Sequence, residues 1–155
     1  MVYIDTCVFL NVIKRETPFW PGSLKMLLAA ERGDIQLVAS TLVLAEVASH
    51  NGEVDPAKRD EVIDRYLTDA PVQWYELDLF VVEDTRRICD SFEMRGADAA
   101  HLATAIRAKA DFLVSNDKRF PYDQTIGGVR VIRPMVLWDA TIHDAHVDQQ
   151  AAEDL

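Results

Sequence analysis

Cysteine is scarce: the 155-residue chain holds only Cys7 and Cys89. Two cysteines so far apart form no disulfide framework and match no metal-binding spacing. Both read as reduced core thiols. Glycine and proline are sparse as well, six of each. With no linker, internal repeat or low-complexity tract, the length points to one compact domain with a real core. No apolar run approaches the roughly 20 residues of a membrane-spanning helix. The N-terminal stretch lacks a basic lead and is interrupted by Asp5, so a signal peptide is not expected and the cytoplasm is the default address. Basic residues are outnumbered, 16 Lys and Arg against 26 Asp and Glu, for a net charge of −10. That argues against a surface that coats nucleic acid. It leaves open an enzyme that meets nucleic acid through a metal in an acidic pocket, or a basic protein partner.

What is present is an alternation of short apolar runs and amphipathic segments. Residues 2–4, 35–39, 72–77, 111–115 and 128–134 read as strands. Between them, helices are expected from Asp5 or Thr6 to about Ile13, and from a Ser23 cap to Gly33. Further helices are expected from Ser40–Thr41 to Asn51–Gly52, from the Asp55–Pro56 start to about Asp69, from Asp78 to Arg95–Gly96, and from Asp98 through the Ala-rich segment. The segment 139–155 reads as an acidic tail on a domain spanning 1–138. Strands alternating with helices imply a parallel sheet covered on both faces, an α/β/α sandwich with ligands at the carboxyl ends of its strands.

Four carboxylates bear on that rim. Asp5 follows the first strand directly, and Asp117 follows 111–115 after only Asn116. Asp98 lies at the start of the helix that feeds that strand, and Glu46 interrupts the apolar helix after the second strand. Singly, each has a plain explanation: Asp5 and Asp98 as helix caps, and Asp117 as a turn residue. Glu46 resists one, because an unpaired buried carboxylate is costly. Crowded together, the four would raise one another's pKa values. A divalent cation reverses that cost, and an all-oxygen set suits Mg²⁺ or Mn²⁺. With no His or Cys expected in the set, zinc is disfavoured. His101, one turn after Asp98, is near enough to reach the site but reads rather as a packed helix histidine, and His143 with His146 reads as a tail pair without further ligands. Trp20, Trp74 and Trp138 read as core or interface residues.

The stretches IDTCVFL, STLVLAEV, GADAAHLATAIRAKADFLVSNDKRF and VRVIRP carry a resemblance to the PIN-domain family, and within it to VapC-like toxins of toxin–antitoxin pairs. It covers residues 2–137, with the block from Asp98 to Phe120 the most specific. The resemblance implies a three-layer α/β/α fold and a metal-dependent endoribonuclease. Its acidic positions fall on Asp5, Glu46, Asp98 and Asp117, with none replaced. Thr6 matches the hydroxyl residue after the first acid, and Ser115 and Asn116 match the polar pair before the last. Asp5 and Asp98 would be the most direct ligands of one or two Mg²⁺ or Mn²⁺ ions, with Glu46 a candidate for orienting water. A cognate antitoxin and a homodimer are implied partners. Lys14, Arg15, Lys118 and Arg119 are the candidate contacts to RNA phosphates.

Other readings compete. The same nuclease could serve RNA processing rather than act as a toxin, which sequence does not distinguish. A phosphoryl-transfer domain with Asp5 as nucleophile would want a second Asp where Cys7 stands, or paired acids before Asp5. A degenerate, non-enzymatic PIN module should lack one of the acids, and none is missing.

Overall fold

A computed structural model describes residues 1–49, 55–135 and 137. Its sheet has six strands: β1 (Val2–Ile4), β2 (Leu37–Ser40), β3 (Val72–Tyr75), β4 (Phe112–Val114), β5 (Thr125–Ile126) and β6 (Val129–Ile132). They lie in the order β3-β2-β1-β4-β6-β5, parallel throughout except for the β5–β6 pair. The helices are α1 (Thr6–Lys14), α2 (Trp20–Arg32), α3 (Thr41–Ser49), α4 (Pro56–Ile63), α5 (Leu79–Phe92) and α6 (Gly96–Arg107). A π-helical turn, Asp64–Thr68, extends α4.

The period of two along each strand sorts side chains into two cores. Val2, Ile4, Leu37, Ala39, Val114 and Ile132 pack into one, with α1 to α4. Tyr3, Val38, Leu113, Val129 and Val131 face the other way, onto α5 and α6. The result is the expected three-layer α/β/α arrangement. Strand order reverses between β1 and β4, which pair Ile4 with Val114. The crevice at their carboxyl ends is where such sheets bind ligands.

Several local expectations shift. The second helix begins at Trp20 rather than at a Ser23 cap, with Pro21 in its first turn. Ser23 is buried inside it, and Asn11 Nδ2 donates to its hydroxyl at 3.3 Å. Strand β2 sits two residues later than expected at its start, carrying Ser40 to the rim. Helix α5 stops at Phe92 with Glu93 in the left-handed region, and Gly96, expected as a terminator, is the first residue of α6. The expected fifth strand is a hairpin of two, joined by Gly127 and Gly128 at φ 58° and 90°. Two positive φ values in a two-residue loop suit the right-handed twist of a hairpin. The acidic tail, Trp138, His143, His146 and the Asn51–Gly52 stop lie outside the described residues. Among the described residues no helix is long and apolar enough to cross a membrane.

Candidate active site

Asp5 occupies the N-cap position of α1, yet its side chain makes no capping hydrogen bond. It points instead into the crevice, where the Ser115 hydroxyl donates to Oδ2 at 2.6 Å across 110 residues of chain. The β1–β4 register places Ser115 beside Asp5, and the same Ser115 oxygen accepts from the Asp117 N–H at 3.0 Å. Asn116 donates its N–H to Cys7 Sγ at 3.1 Å. Cys7 and Cys89 are both free thiols, and burial pushes the Cys7 thiol well above its ordinary range.

A cleft of about 330 Å³ opens at this rim, and Asp5, Glu46, Asp98 and Asp117 all line it. Glu46 projects from α3 and accepts at Oε2 from the Thr6 hydroxyl at 2.5 Å. Asp98 stands in the first turn of α6, where the helix dipole favours a negative charge. The sequence-predicted acids and their supports Thr6, Ser115 and Asn116 are therefore brought together. Lys14 and Arg15 are not: they lie at the opposite end of α1, about 13 Å of helix from Asp5. The Arg15 guanidinium sits 5.9 Å from the centre of the Trp20 ring. Lys118 is exposed beside the cleft residues.

Two side chains divide the acids into pairs, and neither role was expected. His101, one turn after Asp98 on α6, places Nε2 2.9 Å from Glu46 Oε2 and 3.3 Å from Asp5 Oδ1. Its Nδ1 lies 2.8 Å from the Tyr3 hydroxyl. The histidine expected to be merely packed in its helix thus borders the acidic set: ligand atoms of Asp5, Glu46 and His101 fall within 4.8 Å of one another. The i, i+3 spacing from Asp98 put His101 on the same helix face and was the available signal. Arg119, expected as a phosphate contact, binds Asp117 through Nε at 2.9 Å and also through Nη2, and its Nε lies 3.3 Å from Asp98 Oδ2.

The electrostatics follow from this pairing. Burial pushes the Asp98 carboxyl above the usual range; Arg119 opposes the rise, while Asp117 and Asp5 add to it. Asp117 goes the other way from the mutual rise expected of the acids, because hydrogen bonds from Arg119 hold it below the usual range. Burial would lower the His101 pKa, but the bond to Glu46 and the charges of Asp5, Glu46 and Asp98 outweigh it and leave it raised. Burial, reinforced by Asp5, pushes the Tyr3 phenol well up, so it stays protonated.

The donor set fits a hard divalent cation. Asp98 Oδ2 is buried and makes no well-formed hydrogen bond, its one positive neighbour being the Arg119 guanidinium at 3.3 Å, and a carboxylate oxygen so incompletely satisfied is stabilised by a further cation. Four carboxylates on one cleft supply the oxygen-rich surroundings that Mg²⁺ or Mn²⁺ requires.

The PIN domain family model matches residues 2–122, a span that contains all four acids. No curated protein sequence matches the chain. Among solved structures, a chain of a toxin–antitoxin complex from Klebsiella pneumoniae aligns with a TM-score of 0.63 and 16% identity, covering 88% of this chain and 100% of that one. A chain of VapBC2 from Rickettsia felis, bound to a promoter DNA fragment, gives 0.58 and 19%, covering 90% and 100%. A chain of FitAcB from Neisseria gonorrhoeae gives 0.52 and 17%, covering 86% and 98%. At these identities the likeness is one of fold.

Proposed function

Because the chain belongs to the PIN domain family, we propose that it is a divalent-metal-dependent endoribonuclease and the toxin of a toxin–antitoxin pair. The observation that carries this reading is the convergence of Asp5, Glu46, Asp98 and Asp117 on one cleft. Asp5 and Asp98 are the first candidates to hold Mg²⁺ or Mn²⁺, with Glu46 and Asp117 completing the set. A bound ion there would supply Lewis-acid polarisation of a phosphate and a more acidic water. The chain's own residues do the rest. Thr6 and Ser115 fix the rotamers of Glu46 and Asp5 through hydroxyl hydrogen bonds. Glu46 is the candidate to orient the attacking water. Arg119, which lines the cleft, and the exposed Lys118 beside it are the candidate contacts to an RNA phosphate. Lys14 and Arg15, at the far end of α1, drop out of the proposed contact set.

The antitoxin would carry a basic segment toward the acidic rim, a pairing favoured by charge complementarity. The fold shared with chains of toxin–antitoxin complexes supports that partner. A homodimer would cover apolar surface such as Leu79, Phe80 and Val82, which stand 80%, 64% and 48% exposed at the start of α5.

The test is RNA cleavage with Mg²⁺, Mn²⁺ or EDTA, comparing wild type with Asp98→Asn. Metal-dependent cleavage that falls by at least about 100-fold in the variant is expected, since each residue of such a site contributes several kcal/mol to the barrier. Full metal-dependent cleavage retained in the variant would remove the assignment.

A further inference from the structure

His101 is 1% exposed, and both of its ring nitrogens are engaged. Nε2 faces the carboxylates of Glu46 and Asp5, and ionised carboxylates can only accept hydrogen bonds, so the nitrogen facing them carries a proton. On the other side, Nδ1 faces the hydroxyl of the buried Tyr3, which can donate into its lone pair. The partners thus put a hydrogen on Nε2 in the neutral and the charged ring alike. A nitrogen holding a proton has no lone pair to offer a metal. By distance alone Asp5, Glu46 and His101 resemble a three-ligand cluster; the proton on Nε2 takes His101 out of it.

What the N–H does is bridge. Asp5 follows β1 and Glu46 rides on α3, two like charges carried by separate elements. Left alone they would turn apart. One N–H shared between Glu46 Oε2 at 2.9 Å and Asp5 Oδ1 at 3.3 Å ties them together. Ser115 holds the other Asp5 oxygen and Thr6 reinforces the grip on Glu46. We infer that His101 is a positioning residue, not a metal ligand: braced by the Tyr3 hydroxyl, its Nε2–H holds Asp5 and Glu46 together as a preformed cation seat. The inference rests on the metal-site reading above and adds to it a residue and a role.

The test is Mn²⁺ binding to the full chain, read by calorimetry and by electron spin-echo spectroscopy, independently of RNA cleavage. His101→Leu, which removes the N–H, is expected to weaken Mn²⁺ binding by about 10- to 100-fold, the usual cost of losing a group that orients a ligand. His101→Gln sets an amide N–H near the Nε2 position and is expected to restore affinity to within about threefold of wild type, whereas Tyr3→Phe, which removes the hydroxyl bracing the ring, gives a loss between these two. The wild-type Mn²⁺ echo is expected to show no directly coordinated nitrogen. A nitrogen coupling of ligand strength, or unchanged affinity in His101→Leu while wild type binds, overturns this inference and leaves the metal reading standing. Failure of wild type to bind Mn²⁺ at all overturns both. Because the echo experiment uses the unaltered protein, it decides the question even if a variant fails to fold.

Discussion

At the scale of single residues, the site is four acids held in two differently protected pairs. Asp98 and Asp117 share Arg119 but titrate in opposite senses, and that gives an opposed pair of expectations in EDTA. A carboxyl whose folded pKa is raised contributes stability below its unfolded value and loses it as pH rises through the folded value. Ionised Asp98 therefore destabilises the metal-free fold at pH 7. Asp98→Asn should raise the melting temperature there by about 2–4 °C, the response to roughly 1 kcal/mol in a chain of this size. The gain should shrink as pH falls toward the unfolded value of 3.8. Asp117 has a lowered pKa, so its contribution is present above 3.8 and lost as pH falls through the folded value. Asp117→Asn should lower the melting temperature at pH 7. Scanning calorimetry at two pH values checks both signs; a lower melting point for Asp98→Asn would contradict the account. The four acids were legible because a charge in an apolar run or at a strand end is out of pattern. The partners His101 and Arg119 were not. The i, i+3 spacing from Asp98 marked the face of His101 but not the partners from β1 and α3 that meet it, and Arg119 looks like any exposed cation two residues past Asp117.

At the scale of elements, strand and helix identities were readable from periodicity, while boundaries moved where one residue could serve two roles. Ser23 looks like a cap but is buried against Asn11, and Gly96 looks like a terminator but begins α6. The β5 strand escaped notice because two residues carry no period. Its hairpin still has a testable mechanism. A Cβ on Gly127 would lie 2.8 Å from Ile106 Cδ1 on α6, at φ 58°, whereas one on Gly128 meets nothing within 4 Å, at φ 90°. Gly128→Ala bears backbone strain alone, about 1–2 kcal/mol. Gly127→Ala adds displacement of Ile106, and should cost about 1 kcal/mol more, as overpacking typically does. Urea denaturation of the two variants gives the difference directly, and equal losses would show that Ile106 yields freely.

At the scale of the whole molecule, a net charge of −10 is compatible with the proposed RNA substrate only if the contact is narrow. Single-stranded RNA binding should therefore show a shallow dependence on salt, with Lys118→Ala reducing the log–log slope by about 0.7, the value for one phosphate contact. Fluorescence titrations across a salt series, made in EDTA to prevent cleavage, measure it. An unchanged slope would place Lys118 away from the RNA path.

Strands β1 and β4 are neighbours in the sheet although most of the domain separates them along the chain. Synthesis runs from the N-terminus, so Asp5 and Glu46 leave the ribosome well before Asp98, Ser115 and Asp117. Until β4 docks beside β1, the nascent chain carries half a site, with Asp5 lacking its Ser115 donor and no His101 to hold it beside Glu46. On the proposed function, the complete rim therefore exists only once the C-terminal half of the domain has been made. An inhibitor that recognises the assembled rim meets only finished molecules.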